Sequence, residues 1–294
     1  MKIHPTAIVS PEASIAPDVE IGPFCVIEPG VTIGAGCVLA SHVVLKRGVT
    51  LGEFNEICEG TVLGGRPQHI HSTDVYGKVL IGNGNIIREH STVHCAMSPD
   101  HVTCIGDENF LMVNAHVAHD CVVGNHVIIT NNVMLGGFVR VEDHANISGG
   151  VAVHQFCRIG MFAMVGGLSH IVQDVLPFVN VDGGSSLVVG INRIGLTRAG
   201  ISNEEIHQIR LAYKTIYEEP RPRLEMIKVL REQFPTGLAA HYADFLEDCK
   251  RGYIKNRLAS SKSLKLVRPD ENSSEAAEQQ TTVTSESSVI RVTG

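Results

Sequence analysis

The stretch that decides the fold is residues 3–39, IHPTAIVSPEASIAPDVEIGPFCVIEPGVTIGAGCVL. Every sixth residue from Ile3 is Ile, Leu or Val, and the series runs to Ile171 with His69 and Pro99 as the only exceptions among 29 positions. Aliphatic residues make up roughly a quarter of an average chain, so chance does not produce this series. Helices repeat every 3.6 residues and strands every two, whereas a period of six is typical of the hexapeptide repeat of a parallel β-helix.

The six-residue unit has a simple structural interpretation. One short strand and one turn form each unit, and three units close a triangular coil of about 18 residues. The aliphatic residue points into the coil, and the residue four places later is also small or apolar, as at Ala7, Cys25 and Val31. Equivalent residues of neighbouring coils then stack roughly 4.8 Å apart along the axis. We predict such a β-helix over residues 1–171.

Two irregular stretches interrupt the repeat, at residues 64–78 and 94–104. We interpret both as loops that project from the coil, and loops on a rigid scaffold often carry functional residues. Beyond the coil we predict three further segments: a Gly-rich crossing segment at 172–200, C-terminal helices at 201–256, and a disordered tail rich in Ser, Thr, Glu and Gln at 257–294.

The helical region carries its own start and stop signals. Ser202 or Asn203 is predicted to cap the first helix, because acidic residues follow in the first turn. A second helix is predicted over residues 224–234 and a third over residues 238–253.

The composition predicts a cytoplasmic protein with no integral membrane segment and no nucleic-acid partner. There is no apolar run long enough to span a bilayer and no charged-then-apolar leader. The net charge of −7 argues against general nucleic-acid binding. No Cys-x-x-Cys pair occurs, and half of the eight cysteines fall at the small inward position, so we predict reduced core residues at Cys25, Cys37, Cys121 and Cys157. We predict no metal ion and no cofactor.

The candidate site lies in residues 114–121, NAHVAHDC. Because Val117 belongs to the inward series, His116 and His119 lie off the core, and Asp120 directly follows the second histidine. A histidine beside an acid suits general-base catalysis, since imidazole as a side chain titrates near neutral pH.

The period of the coil adds two residues to this site. Gly137 follows His119 by one coil length and Gln155 follows it by two, so the three are predicted to form one column. Gly137 comes directly after another glycine, where a backbone N–H can be approached closely. A base, a bare amide and a carboxamide in one column predict acyl transfer, in which the base deprotonates a hydroxyl and the amide stabilises the oxyanion.

Six motifs stand in order along residues 1–255: HPTA at 4–7, IGPFC at 21–25, NAHVAHDC at 114–121, AVHQF at 152–156, MVGG at 164–167, and GIN at 190–192 followed by GLTR at 195–198. Together they resemble the acyl-(acyl-carrier-protein)–UDP-N-acetylglucosamine O-acyltransferases, the hexapeptide-repeat family that opens lipid A biosynthesis. The resemblance implies a left-handed coil, a homotrimer with sites between subunits, and an acyl carrier protein and UDP-N-acetylglucosamine as substrates.

The resemblance also implies roles for individual residues. His119 would be the general base, Asp120 would orient it, and the Gly137 amide would bind the oxyanion during transfer of a 3-hydroxyacyl chain to the sugar 3-hydroxyl. The small Gly167 would leave room for a long acyl chain. The residues that match the family's other substrate contacts are His116, His154, Gln155, Asn192 and Arg198.

This chain departs from the family pattern at the acceptor and donor sites. In the first loop, Gln68, His69 and His71 stand where the family has an Asp-Leu-Lys stretch, and we take them as substrate-binding candidates. Phe138 replaces a histidine of the family, and Ile194 and Ala199 replace an acid and an arginine.

An acyl carrier protein is acidic, whereas this chain has a negative net charge. Docking therefore requires a local basic patch. The C-terminal helices supply one by composition: Arg210, Lys214, Arg221, Arg223, Lys228, Arg231, Lys250, Arg251 and Lys255.

Three alternatives stay open. The first is the same acyl transfer onto a modified amino-sugar nucleotide, because the departures fall on the acceptor site. The second is a zinc enzyme like the γ-class carbonic anhydrases, which needs two histidines separated by two coil lengths and a third histidine at the fifth position after them. His90 and His126 have that spacing, but Asn131 stands at the third position. The third is a non-catalytic scaffold, which the His119–Asp120 pair disfavours.

Overall fold

The computed structural model of the protein describes residues 2–219 and 221–257. Within these residues the chain winds into a coil with a parallel sheet on each of its three sides, here called sheets I, II and III. The tail prediction at 257–294 falls, from residue 258 onward, outside the described residues.

The strands follow one another through sheets I, II and III in turn, and most are only two residues long. Sheet I has eleven strands: Lys2–Ile3, Glu20–Ile21, Val38–Leu39, Glu56–Ile57, Ile86–Ile87, Phe110–Leu111, Ile128–Ile129, Asn146–Ile147, Met164–Val165, Val179–Val181 and Val188–Ile191. Sheet II has nine: Ile8–Val9, Val26–Ile27, Val44–Leu45, Val62–Gly65, Thr92–His94, His116–Val117, Met134–Leu135, Ala152–Val153 and His170–Ile171. Sheet III has eight: Ser14–Ile15, Thr32–Ile33, Val49–Leu51, Lys78–Ile81, Val102–Ile105, Val122–Val123, Arg140–Val141 and Arg158–Ile159.

The sixth-position aliphatic residues form the core of the coil. Ile3 pairs with Ile21, and Ile129 pairs with Ile147, each with its equivalent one coil further along the chain. From the second coil onward these side chains are almost fully buried, apart from Val75 in the first loop, whereas Ile3 of the first coil is 36 % exposed. Full burial of one such side chain stabilises the fold by about 1.5–3 kcal/mol. The four inward cysteines, Cys25, Cys37, Cys121 and Cys157, are buried free thiols in this core.

Both loops are insertions into single coils. Ile81 pairs with Leu51, and Ile105 pairs with Ile81, so the chain between these partners is longer than one regular coil. Compared with a regular coil of three units, the first loop adds two hexapeptide units and the second loop adds one. Because both additions are multiples of six, the aliphatic residues after each loop still fall at every sixth position. Val75 falls at a sixth position by its sequence number but is not a core residue, since its side chain lies in the first loop and is 65 % exposed.

The strands reach further into these stretches than the sequence pattern indicates. Gly65 and Lys78 belong to strands, which leaves residues 66–77 as the first loop. His94 and the segment Val102–Ile105 are also in strands, which leaves residues 95–101 as the second loop.

The coil continues past Ile171, where the aliphatic period ends. Val175 forms a parallel bridge to Ile159, and Val179–Val181 pairs in parallel with Met164–Val165. The next strand, Val188–Ile191, is antiparallel and ends sheet I. The reversal occurs at Asp182, whose carboxylate accepts hydrogen bonds from the N–H and the hydroxyl of Ser185.

Up to residue 257, four α-helices and one 3-10 helix follow: α1 (Arg193–Arg198), α2 (Asn203–Glu218), α3 (Arg223–Gln233), the 3-10 helix Leu238–Ala240, and α4 (His241–Glu247). Ser202 caps α2 by accepting a hydrogen bond from the Glu205 N–H. Helix α4 ends at Glu247 and not near residue 253, because Tyr253 returns to the coil and bridges Asp174. In the described part of the chain, no helix combines the length and apolarity needed to cross a membrane.

Candidate active site

The candidate site lies where sheet II turns into sheet III. Val117 pairs with Leu135, and Leu135 pairs with Val153. His119, Gly137 and Gln155 each stand two positions beyond these partners, so they occupy equivalent places in three successive coils. The His119 ring lies over Gly137, where an added Cβ would come within 2.5 Å of the imidazole Cε1 and 2.7 Å of Nε2. Only glycine leaves room for the ring.

His119 and Asp120 form a buried pair. The imidazole Nδ1 lies 2.8 Å from the carboxylate Oδ2, and the two side chains are 7 % and 5 % exposed. An ionised carboxylate can only accept, so Nδ1 donates and the lone pair of Nε2 remains available in the neutral ring. Asp120 has a φ of 60°, a left-handed conformation that aspartate tolerates and that turns its side chain back toward His119.

Three groups from the second loop and the strand after it hold Asp120 in place. Its Oδ2 also accepts a hydrogen bond from the Met97 N–H at 3.0 Å, and its Oδ1 accepts one from His101 Nδ1 at 3.1 Å. The Asp120 N–H donates to Thr103 Oγ1 at 2.8 Å. Sequence reasoning missed all three residues. Met97 and His101 lie in the insertion, outside the regular register of the coils, whereas Thr103 pairs in register with Val79 and only the structure shows its bond to Asp120.

The Gly137 amide is the second feature of this corner. Within the described residues its N–H takes part in no hydrogen bond, although the neighbouring Gly136 and Phe138 N–H groups bond to Val153 and His119 carbonyls. A free N–H on a residue that packs against an imidazole is suited to bind a developing oxyanion.

A groove of about 450 Å³ runs beside the column on the sheet II side of the coil. Seven of the predicted site residues line it: Gln68, His69, His116, His119, Gly137, His154 and Gln155. The groove is completed by seven residues that were not predicted as site residues: Ala118, Met134, Leu135, Gly136, Ala152, Val153 and His170.

Two histidines beside the groove are held uncharged at neutral pH. Burial, and then the charge of His119, lower the pKa of His116, whose Nδ1 lies 2.8 Å from Thr92 Oγ1. Burial, and then the charge of His116, lower the pKa of His94 to about 4. The His94 and His116 rings pack edge-on, with centroids 5.0 Å apart. Neutral imidazoles can both donate and accept hydrogen bonds, which suits a hydroxyl-rich ligand.

The first loop reaches the corner that holds His119. The His69 ring packs edge-on against the His119 ring, with centroids 5.8 Å apart. His71 lies outside the groove and donates its N–H to His69 Nδ1 at 3.2 Å. Phe138, which the sequence marks as a departure, packs its ring edge-on against His119 at 5.4 Å.

Asn192, Arg198 and Gly167 lie apart from this groove. Asn192 and Arg198 line a second groove of about 540 Å³ on the sheet I side, together with His126 and His144. The Asn192 side chain caps α1 by accepting from the Gly195 N–H. Gly167 is exposed at the corner that follows Met164–Val165 and lines neither groove.

The geometry does not supply the zinc arrangement that the sequence left open. His90 follows a strand of sheet I, whereas His126 follows a strand of sheet III, so they stand at different corners. Their separation of 36 residues equals two regular coils, but it includes the extra hexapeptide unit of the second loop. The two histidines therefore do not stand at equivalent places in the coil. Across residues 2–219 and 221–257, no three His, Cys, Asp or Glu side chains are placed to hold a metal ion.

Two family models match the chain. Residues 174–254 match the model described as UDP-N-acetylglucosamine O-acyltransferase, domain 2. Residues 12–47 and 105–137 match the model of the bacterial transferase hexapeptide repeat. The first match covers the end of the coil and the helices, and the second covers the candidate base.

Curated relatives that share the name of this activity match most of the chain. An acyl-(acyl-carrier-protein)–UDP-N-acetylglucosamine O-acyltransferase of Burkholderia lata is 48 % identical over 260 residues, which are 86 % of this chain and 99 % of the relative. This chain belongs to the UDP-N-acetylglucosamine O-acyltransferase family. A relative of the same name from Rhizobium johnstonii is 41 % identical over 247 residues, 83 % of this chain and 91 % of the relative.

Solved structures of this acyltransferase family have the same fold. The Francisella novicida UDP-N-acetylglucosamine acyltransferase superposes with a TM-score of 0.85 at 33 % identity, over 88 % of this chain and 96 % of its own. The Moraxella catarrhalis UDP-N-acetylglucosamine O-acyltransferase superposes with a TM-score of 0.82 at 37 % identity, over 87 % of this chain and 100 % of its own. The predictions of family, of enzyme class and of a left-handed β-helix followed by helices are confirmed.

Proposed function

We propose that this protein transfers a 3-hydroxyacyl chain from an acyl carrier protein to the 3-hydroxyl of UDP-N-acetylglucosamine, the step that opens lipid A biosynthesis. The single observation that carries the proposal is the His119–Asp120 pair packed over the Gly137 amide. The names of the curated relatives, which specify both substrates, support it.

The chemistry begins with proton transfer. Nε2 of His119 takes the proton of the acceptor hydroxyl while that oxygen attacks the thioester carbonyl carbon of the donor. A new C–O bond forms and the carbonyl oxygen becomes an oxyanion, which the free Gly137 N–H stabilises. Asp120, hydrogen-bonded to Nδ1, stabilises the imidazolium that results.

Collapse of the tetrahedral intermediate completes the transfer. The C–S bond breaks, the carbonyl reforms, and the imidazolium of His119 returns its proton to the departing thiolate. The products are the sugar ester and the free thiol of the carrier, so proton and electron pairs balance without a cofactor.

The remaining groove residues are assigned to substrate binding. His116, His154 and Gln155 offer hydrogen-bond donors and acceptors beside the base, and Gln68 and His69 of the first loop also line the groove. His71 supports His69 through its backbone N–H.

Asn192, Arg198 and Gly167 are assigned to the same active site through assembly. They lie on the sheet I side or at its corner, away from His119 in the same chain. A homotrimer with three-fold symmetry would set the sheet II groove of one chain against these residues of its neighbour. Gly167 would then limit the length of the acyl chain.

An assay of the purified protein tests the proposal. UDP-N-acetylglucosamine and a panel of 3-hydroxyacyl carrier proteins of different chain lengths are incubated with it, and mass spectrometry follows the sugar product. We expect one hydroxyacyl group to be added to the sugar. If only a 3-amino analogue of the sugar nucleotide is acylated, the modified amino sugar is the acceptor.

The His119→Ala variant tests the base. We expect kcat to fall by roughly 10²–10⁴, the usual contribution of a general base, with an unchanged circular dichroism spectrum. His4→Ala is the matched control, because His4 is an exposed histidine of the first coil. Wild-type turnover in His119→Ala would reject the proposed mechanism.

A further inference from the structure

The second loop places an additional histidine behind the catalytic pair. His101 donates from Nδ1 to Asp120 Oδ1, the oxygen that His119 does not use. The carboxylate thus lies between two imidazoles, at 2.8 Å from one and 3.1 Å from the other. We propose that His101 is a positioning residue for the reaction, acting on His119 through Asp120; the inference rests on the proposed function.

The geometry of the carboxylate carries the argument. A carboxylate bound at one oxygen only can rotate about its Cβ–Cγ bond and weaken its bond to the base. Here Oδ2 accepts from His119 and from the Met97 N–H, while Oδ1 is held by His101. Within the described residues, His101 supplies the only side-chain hydrogen bond to Oδ1, so its removal frees that oxygen.

The loop that carries His101 is itself anchored. The His101 N–H donates to the Ser98 carbonyl at 2.9 Å, and the Gly77 N–H, at the end of the first loop, donates to Ala96 at 2.8 Å. Gly77 packs so closely against the Ser98 and His101 carbonyls that no side chain fits at position 77. His101 is therefore held at a fixed distance behind Asp120.

His101 differs from the buried pair in its access to solvent. Its side chain is 59 % exposed, whereas that of Asp120 is 5 % exposed. Among the described residues, the charged groups near His101 are Asp120, the preceding residue Asp100, and Lys78. Lys78 lies in the adjacent strand, where it pairs with Val102. An imidazole at this position can bring a positive charge to the same carboxylate that binds the base.

Two substitutions at this position separate positioning from folding. His101→Asn keeps an N–H donor where Nδ1 lies but cannot carry a charge, whereas His101→Ala removes both. We expect His101→Ala to lower kcat about tenfold while KM for either substrate stays unchanged. We expect His101→Asn to recover most of that loss. We expect the acid limb of its kcat/KM profile to move to higher pH, because asparagine cannot place a second positive charge beside Asp120.

His4→Ala is again the matched control, since His4 is an exposed histidine whose Nδ1 also bonds a neighbouring side chain, Thr6. Wild-type kcat in His101→Ala would overturn the inference. So would equal losses in both variants with an unmoved acid limb, the pattern of a structural role. If His101→Ala does not fold, the pH profile of His101→Asn tests the inference by itself. A shifted acid limb supports it, and an unmoved acid limb overturns it. An active His119→Ala would instead reject the proposed function, and this inference with it.

Discussion

At the scale of single residues, the site depends on the space beneath the His119 ring. Gly137 and Gly149 both stand two positions after an inward aliphatic residue, at Leu135 and Ile147. An added Cβ at Gly149 would meet its nearest atom, the Asn131 carbonyl oxygen, at 3.4 Å, an ordinary contact. At Gly137 the same atom would collide with the imidazole. The two glycines therefore follow equivalent strand positions but differ in the space available to a side chain.

This difference gives a test by paired substitution. We expect Gly137→Ala to displace the His119 ring and lower kcat by roughly 10²-fold, the usual effect of a misplaced catalytic group. Gly149→Ala should leave kcat within about twofold of the wild type. Steady-state kinetics of the two variants measure this, and equal activities would contradict the packing that we describe.

His94 provides a prediction about pH and stability. Its pKa falls from 6.5 to about 4 in the folded chain because the ring is buried. Above pH 6.5 the ring is neutral in both states; as the pH falls, the unfolded chain takes up the proton first, so the free energy of unfolding decreases between pH 6.5 and about 4. The contribution is on the order of 1–3 kcal/mol.

Urea unfolding at pH 7 and pH 4.5 measures this effect. We expect His94→Gln to lose less stability over the interval than the wild type, because its side chain does not titrate. His116 titrates in the same direction and is unchanged in both proteins. Identical losses in wild type and variant would show that His94 does not contribute.

At the scale of elements, the helices present fewer available basic groups than their composition indicates. Arg221 pairs with Glu219 at 2.6 Å, and Arg231 pairs with Asp244 and Glu247. Arg223 donates to the Cys249 carbonyl. These three arginines are already bonded within the helical region, so they are weaker candidates for binding an acidic partner.

Arg210 and Lys214 are the better candidates for docking an acyl carrier protein. They lie one helical turn apart on α2, both are exposed, and neither forms an ion pair within the described part of the chain. We expect Arg210→Glu combined with Lys214→Glu to raise KM for the carrier without changing KM for the sugar nucleotide, and the effect should weaken with salt. Lys228→Glu on α3 is the control, and equal changes in both KM values would argue against docking here.

At the scale of the whole molecule, one chain carries its candidate site residues on two sides of the coil. The base lies beside the sheet II groove, and Arg198 lies beside the sheet I groove. We expect the active protein to be a homotrimer by analytical ultracentrifugation, with each site shared between neighbours. A fully active monomer would contradict this assembly.

Mixed trimers test the shared site directly. His119→Ala and Arg198→Ala are each expected to lose activity when they are assembled alone. Co-expressed in equal amounts, they should recover about a quarter of the wild-type activity, because that share of interfaces joins an intact His119 to an intact Arg198. If both residues act within one chain, no interface is restored and activity stays at the level of the separate variants.

Sequence alone determined the coil. Each six-residue unit forms one side of it, so residues three units apart stack on one another in successive coils. Val117, Leu135 and Val153 pair as their spacing predicts, and so His119 and Gly137 meet. The same arithmetic holds wherever no residue is inserted between coils.

Tertiary structure alone decided the contacts that cross an insertion. Each loop adds a whole number of hexapeptide units without disturbing the phase, so the spacing cannot reveal that Val75 leaves the core or that His101 reaches Asp120. It also decided where α4 ends and that Asn192 lies on the side of the coil away from His119. The sequence period shows which residues occupy equivalent places in successive coils. Contacts between a loop and the coil depend on the path of the inserted residues, which the period does not describe.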